Sequence, residues 1–260
     1  MLTTLGSIMK ENFLKGKLAL ITGASRGLGR EMARSLGDDG ASIALVGRAQ
    51  EKLKETQELL KGRSIKSEIF VADISLESEV LNLKRDVDAK MGNPDILINN
   101  AGTAIRKDVV EFGLNEWQTV INTNLTGAFI MSKAFSPHMI ELGWGRIINI
   151  TSIMANVGSP GRSAYCASKS GLLALTKCMA LELANTGVTV MAISPGFYAT
   201  DLTAPLREDP DKNASLMNST PMGKWGKPED IGKIASFICS DGADFMTGTD
   251  ILSDGGWLAQ

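Results

Sequence analysis

This chain of 260 residues has one histidine, two tyrosines and three cysteines. Cys166, Cys178 and Cys239 are odd in number and share no CxxC spacing. That argues against a disulfide framework or a zinc site and fits a reducing compartment. No apolar run approaches the roughly 18 residues that a membrane span needs. The opening MLTTLGSIMKENFLKGK lacks a basic segment followed by a continuous apolar core, so it reads as a short arm before the first strand and not as a secretory signal. An excess of one charge is also missing. Twenty-seven lysines and arginines face 29 acids, a formal net charge of −2, which gives no footprint for nucleic acid or an anionic membrane. No Pro-, Gly- or Ser-rich linker, internal repeat or low-complexity tract divides the chain. What remains is a cytoplasmic protein of one domain, residues 1–260, with a small-molecule substrate and neither nucleic acid nor membrane as partner.

What is present is an alternation. KLALITG (17–23), SIALVG (42–47), SEIFVAD (67–73), DILINNAG (95–102), GRIINITS (145–152), VTVMAISPG (188–196) and GTDILSDGG (248–256) are short apolar runs, and helical patterns separate most of them. Continuous apolar strands between helices predict an α/β fold, a doubly wound parallel sheet of seven strands covered on both faces. Ligands of such sheets bind at the carboxyl ends of the strands. The longest stretch without a clear strand or helix, about 197–227, follows a strand end and reads as a lid over that crevice.

TGASRGLG (22–29) ends the first strand and opens a helix. Gly23 allows a tight turn, Gly27 a close approach of backbone to a pyrophosphate, and Gly29 close packing of helix on sheet. The helix N-terminus supplies free N–H groups for the phosphates. At the end of the second strand an acid would accept from a ribose 2′-OH; here Gly47–Arg48 stands instead, with Arg26 in the glycine turn. Two guanidiniums suit a 2′-phosphate and favour NADP(H) over NAD(H). The plain alternative is that Arg48 is a solvated residue starting the next helix.

SAYCASKSG (163–171) places Tyr165 and Lys169 at i and i+4, on one face of a helix. A phenol with a reference pKa of about 10 is a poor acid or base at neutral pH, and an ammonium within ~4–6 Å is expected to lower it. Ser152, at a strand end, can share a substrate oxygen with that phenol. NNAG (99–102) ends the fourth strand in the same crevice, and Asn124 lies in INTNLTGAF, on the long helix before the serine strand. His138 lies far along the chain from all of these, and Cys166 reads as packing.

TGASRGLG, Asp73, NNAG, Asn124, Ser152, YCASK and PGFYAT, in this order and spacing over nearly the whole chain, resemble the short-chain dehydrogenase/reductase family. The resemblance implies a Rossmann-type sheet ordered 3-2-1-4-5-6-7 and hydride transfer between a nicotinamide and a carbonyl or secondary alcohol. It implies Tyr165 as general acid or base, Ser152 as holder of the substrate oxygen, and Lys169 as the residue that tunes Tyr165 and binds the nicotinamide ribose. Asn124 would support a water chain, Asp73 and Asn99 would contact the adenosine side, and Pro195, Gly196 and Thr200 would hold the nicotinamide end. Ser25, Leu28, Ile74, Ala101, Gly102 and Tyr198 complete the cofactor set. No metal is called for, and a homotetramer is expected.

AGTAIRKDVVEF, PGFYATDLTAPLREDP, TPMGKWGKPED and the ending DGGWLAQ look like the gluconate 5-dehydrogenase and 2-deoxy-gluconate 3-dehydrogenase branch of that family. Arg106 is either a partner for a substrate carboxylate or a solvated loop charge. The main rival is a 3-oxoacyl-carrier-protein reductase, or a broad carbonyl reductase. Such carrier-protein reductases tend to carry basic residues where this chain has Gly143 and Leu181. A non-catalytic NADP(H) sensor would have no use for an intact Ser–Tyr–Lys set.

Overall fold

The computed structural model describes residues 12–260; most of the expected N-terminal arm lies outside the described residues. Seven strands form one parallel sheet: β1 (Leu18–Thr22), β2 (Ser42–Gly47), β3 (Ser67–Val71), β4 (Ile96–Asn99), β5 (Gly145–Ile150), β6 (Val188–Pro195) and β7 (Asp250–Ser253). Their order is β3-β2-β1-β4-β5-β6-β7, as the family resemblance implies. Helices α1 (Gly27–Asp38), α2 (Gln50–Lys61), α3 (Glu77–Lys90), α4 (Leu114–Ile121), α5 (Gly127–Leu142) and α6 (Ser163–Leu183) connect the first six strands.

The strands are continuously apolar because both faces of the sheet are covered. Side chains alternate across a strand, so Ala19 and Ile21 of β1 pack with Met32, Leu36, Leu53 and Ile231 on one face. Leu18 and Leu20 pack with Val80, Val87, Phe135 and Met139 on the other. Each large apolar side chain so buried contributes about 1.5–3 kcal/mol. The central strand β1 therefore fixes both layers at once.

β1 pairs with β2 on one side and β4 on the other, so the connections leaving it diverge and open a crevice at the carboxyl ends of the strands. The segment after β6 is more ordered than its sequence suggests. It holds α7 (Ala204–Arg207) and α8 (Pro210–Asn218) ahead of α9 (Pro228–Ile238). Asp209 caps α8 by accepting from Lys212 N at 3.1 Å, with Pro210 as the first helical residue. Phe197 meets Trp225 and Trp257 edge-on, with ring centroids 6.1 and 6.2 Å away. The stretch expected to be irregular thus holds two short helices, and Trp225 of the aromatic cluster donates to Asn213 of α8 at 2.7 Å. Among the described residues no helix is long and apolar enough to cross a membrane.

Candidate active site

A cavity of about 620 Å³ runs along the strand ends. At one end it is lined by Gly23, Ser25, Arg26, Gly27, Leu28 and Gly29, with Arg48, Asp73 and Ile74 beside them. Ala101 and Gly102 line its middle stretch, and Ser152, Tyr165 and Lys169 the chemical end. Pro195, Gly196, Tyr198 and Thr200 come from the end of β6 and the segment after it, and Arg106 from the loop after β4.

The glycine turn is shaped by close contact. A Cβ on Gly29 would lie 2.4 Å from the Gly23 carbonyl oxygen and 2.6 Å from Asn100 Nδ2, so only hydrogen fits there. Gly27 has φ +54°, a left-handed value that side chains resist. α1 starts from an extended Arg26 with no side-chain cap, which leaves its first N–H groups and their partial positive charge available to an anion. An uncapped helix start against a glycine cradle, with cations at the end of β2, fits the phosphates of a dinucleotide.

Two asparagines exchange places relative to expectation. Asn99 is buried and donates to Ser132 Oγ at 3.0 Å and Asn149 Oδ1 at 2.9 Å, away from the cavity. As the last residue of β4 it points into the layer beneath α5. Asn100, one residue on, turns to the crevice side and lines the cavity. Its Nδ2 donates to the Thr22 and Gly23 carbonyls at 2.9 and 3.2 Å, which stitches the glycine turn to β4. Sequence reading missed Asn100 because NNAG does not say which asparagine faces the ligand.

Asn124 is also removed from the cavity. It lies in a π-helical turn (Asn122–Thr126) between α4 and α5 and not in the long helix itself. Its Oδ1 accepts from Thr103 N at 2.8 Å, and its Nδ2 donates to Thr103 O at 2.9 Å and Ser168 Oγ at 3.0 Å. The amide ties the loop after β4 to α6. Thr123, not foreseen, lines the cavity.

Tyr165 and Lys169 occupy one face of α6, as their spacing requires. Lys169 is 4% exposed, and its Nζ donates to the Ile150 carbonyl at 2.6 Å, 5.8 Å from the Tyr165 ring centroid. Burial pushes the Lys169 ammonium down to about 8. The Tyr165 phenol, by contrast, lies above its ordinary value. Burial raises it, while the Ser152 hydroxyl and the Arg162 guanidinium oppose that rise. The phenol thus stands above and not below its ordinary value, with Arg162 as a cation that opposes the rise, while the carbonyl of β5 holds the Lys169 ammonium. Ser152 stands in extended backbone at the end of β5 and accepts from Met154 N at 3.2 Å.

The charges at the glycine-turn end of the cavity are paired. Arg48 reaches Asp73 at 3.5 Å and Arg26 reaches Asp201 at 3.9 Å. Burial pushes the Asp73 carboxyl up, but the Ser75 hydroxyl and amide and the Arg48 guanidinium outweigh it and hold it below the usual range. Lys52, overlooked in the sequence, lines the same end without an ion pair among the described residues. Its signal was legible, one helical turn past Arg48.

The family model described as Enoyl-(Acyl carrier protein) reductase matches residues 23–258. A 2-dehydro-3-deoxy-D-gluconate 5-dehydrogenase of Bacillus subtilis (strain 168) is 38% identical over 95% of this chain and 96% of its own length. A 3-oxoacyl-(acyl-carrier-protein) reductase of Pseudomonas aeruginosa is 36% identical over 94% of this chain and 98% of its own. The crystal structure of a gluconate 5-dehydrogenase from Burkholderia cenocepacia J2315, in complex with NADP and tartrate, is 32% identical and superposes with a TM-score of 0.90 over 95% of this chain and 96% of that one. With the seven-stranded order, the glycine cradle and the Ser152–Tyr165–Lys169 cluster converging on one crevice, the chain belongs to the short-chain dehydrogenase/reductase family, as an NAD(P)-dependent oxidoreductase acting on a CH–OH group.

Proposed function

We propose that this enzyme interconverts a keto sugar acid and its secondary alcohol with NADP(H), in the manner of a gluconate 5-dehydrogenase. The observation that carries the substrate reading is Arg106. It lines the cavity that holds Ser152 and Tyr165, and its guanidinium has no ion-pair partner among the described residues. A substrate carboxylate would supply that partner. The gluconate-type relatives and the tartrate complex support the same chemistry.

Bound in the cradle, the nicotinamide supplies or accepts the hydride. In reduction the carbonyl oxygen rests against the Ser152 and Tyr165 hydroxyls, and the Tyr165 O–H gives its proton to that oxygen as the carbon receives the hydride. In oxidation the phenolate takes the proton back. Lys169, held by Ile150 O, would hold the nicotinamide ribose, and the segment over 197–227, which lends Pro205 and Leu206 to the cavity wall, would cover the substrate. Arg26, Arg48 and Lys52 would hold a 2′-phosphate, in competition with Asp73 and Asp201 for Arg48 and Arg26. Val110, Leu181 and Phe245, strongly exposed apolar side chains, support burial in a homotetramer, and three free cysteines support a cytoplasmic setting.

A second reading, reduction of a 3-oxoacyl thioester, is favoured by the Pseudomonas relative. A further cavity of about 500 Å³, lined in part by Met154, Phe197, Leu206 and Trp257, adjoins the first and could take an acyl chain.

Steady-state rates on 5-ketogluconate, acetoacetyl thioesters and simple ketones separate the two. Turnover of the sugar acid is expected, and activity confined to thioesters rejects the reading. Calorimetric titration is expected to find NADPH bound more tightly than NADH; the reverse order rejects the cofactor assignment.

A further inference from the structure

Two polar residues interrupt apolar runs without lining the cavity. Asn149 lies in β5 among the buried Ile147, Ile148 and Ile150, and Thr176 lies on the buried face of α6, seven residues after Lys169. Both are fully buried. An unpaired amide or hydroxyl at that depth costs on the order of 1–3 kcal/mol, so each needs a partner. They partner one another: Asn149 Nδ2 donates to Thr176 Oγ1 at 2.9 Å.

The polarity of this contact is set from both sides. In the parallel register Asn149 stands opposite Asn99, and its Oδ1 accepts from Asn99 Nδ2 at 2.9 Å. Its Nδ2 is what it has left for α6. Thr176 gives its single hydroxyl proton to Leu172 O at 2.8 Å, so toward Asn149 its oxygen can only accept. The contact therefore has one arrangement. A slide of α6 along β5 would leave the Asn149 amide unpaired in the apolar layer that holds Ile147 and Met179.

β5 and α6 are the two elements that carry the hydroxyl pair. Ser152 stands two residues past the end of β5, and Tyr165 is the third residue of α6. β5 is paired on both sides, with β4 and β6, which makes it a fixed reference for the helix. Among the described residues two side-chain hydrogen bonds join α6 to β5. One is the Lys169 bond to Ile150 O, made by an ammonium that the proposed function also uses toward the ribose. The other is the Asn149–Thr176 bond, which no ligand shares. Ser168 and Ser170 tie α6 only to irregular segments, Ser168 by accepting from Asn124 and Ser170 by donating to Ala155 O.

We propose that Thr176 and Asn149 are positioning residues: their hydrogen bond sets the register of α6 on β5 and, with it, the placement of the Tyr165 hydroxyl against the Ser152 hydroxyl. The proposal rests on the Ser152–Tyr165 chemistry of the proposed function and not on which ketone is the substrate. Proton and hydride transfer need aligned partners, and a misplacement of about 1 Å can cost ~100-fold in rate.

Thr176→Val keeps the volume and removes the hydroxyl. Its kcat on the ketone that the unaltered enzyme reduces fastest is expected to fall by about 10–100-fold, while NADPH, held mainly by the glycine turn, binds as before in calorimetry. Thr176→Ser keeps the hydroxyl and loses a methyl group, and is expected to recover most of kcat although it too is less stable. Val87→Ala, a cavity in the same apolar layer on α3, which lends no residue to the active-site cavity, is the control for stability loss alone and is expected to keep its turnover. A Thr176→Val rate no lower than that of Val87→Ala, or a Thr176→Ser rate no better than that of Thr176→Val, overturns the proposal. Should Thr176→Val not fold, Thr176→Ala against Thr176→Ser isolates the same hydroxyl. Crystals of the altered protein give a readout that needs no turnover: the start of α6 is expected to move along β5 by on the order of 1 Å, and an unmoved helix overturns the proposal. Failure of the unaltered enzyme to reduce any ketone rejects the proposed function instead, while the crystals still decide the register.

Discussion

The two ends of the cavity are both basic, yet they hold their charges differently. At the adenosine end Arg48 and Arg26 are each matched by an acid, Asp73 and Asp201, in exposed pairs at 3.5 and 3.9 Å. At the end that holds Ser152 and Tyr165, Arg106 and Arg162 both line the cavity with no acid within ion-pair distance among the described residues. The first end is built on strand ends and a glycine turn, where backbone N–H groups do much of the anion binding and the side chains only bias it. The second is built on loops, where side chains must supply the whole field. The end with the glycine turn thus keeps its cations partly neutralised, whereas the end with the hydroxyl pair leaves them bare.

The sharpest way to test this division is Tyr165→Phe, which removes the proton donor and nothing from the cradle. Turnover is expected to fall by about 10²–10⁴-fold while NADPH affinity measured by calorimetry stays put. A parallel loss of cofactor affinity would mean that the two ends are not separable. Next in size is Arg106→Gln, expected to raise KM for a keto sugar acid by about 10–100-fold, the worth of a charge-assisted hydrogen bond, with little change in KM for NADPH.

Lys169 gives a test through stability. Its folded-state value of about 8 lies below the ordinary 10.5, so the folded protein binds this proton more weakly than the unfolded chain does. The cost is present in full below pH 8 and is relieved as pH rises from about 8 to 10.5. Lys169→Met is expected to abolish activity yet stabilise the protein at pH 7 by about 2 kcal/mol, the balance of roughly 3 kcal/mol for the shift and ~1 kcal/mol for the hydrogen bond lost at Ile150. Urea unfolding at pH 7 and pH 10 checks the sign, because the gain should shrink at the higher pH. The smallest effect is expected at the adenosine end. Arg48→Gln or Lys52→Gln should weaken NADPH by only about 1.5–5-fold, the scale of an exposed pair, and the loss should fade at high salt.

Much of the site was legible in the sequence because it is local. The glycine turn, the i,i+4 spacing of Tyr165 and Lys169 and the serine at the end of β5 are each set by a few consecutive residues in one element. The errors came where one residue decides a direction. Asn99 and Asn100 differ by a single step at the end of β4, and that step sends one amide under α5 and the other into the crevice. The helices after β6 were missed because nine residues give too few turns for a clear period, although Asp209–Pro210 carried a helix-start signal.

The sequence by itself determined the layering, the strand set and the chemistry of the hydroxyl pair, since apolar periodicity and backbone freedom at glycine act over short distances. Only the tertiary structure decided which charges meet. Lys169 found a carbonyl of β5, and Asp73 found Arg48. Electrostatic effects depend on distance and burial, and neither is defined until the chain has closed.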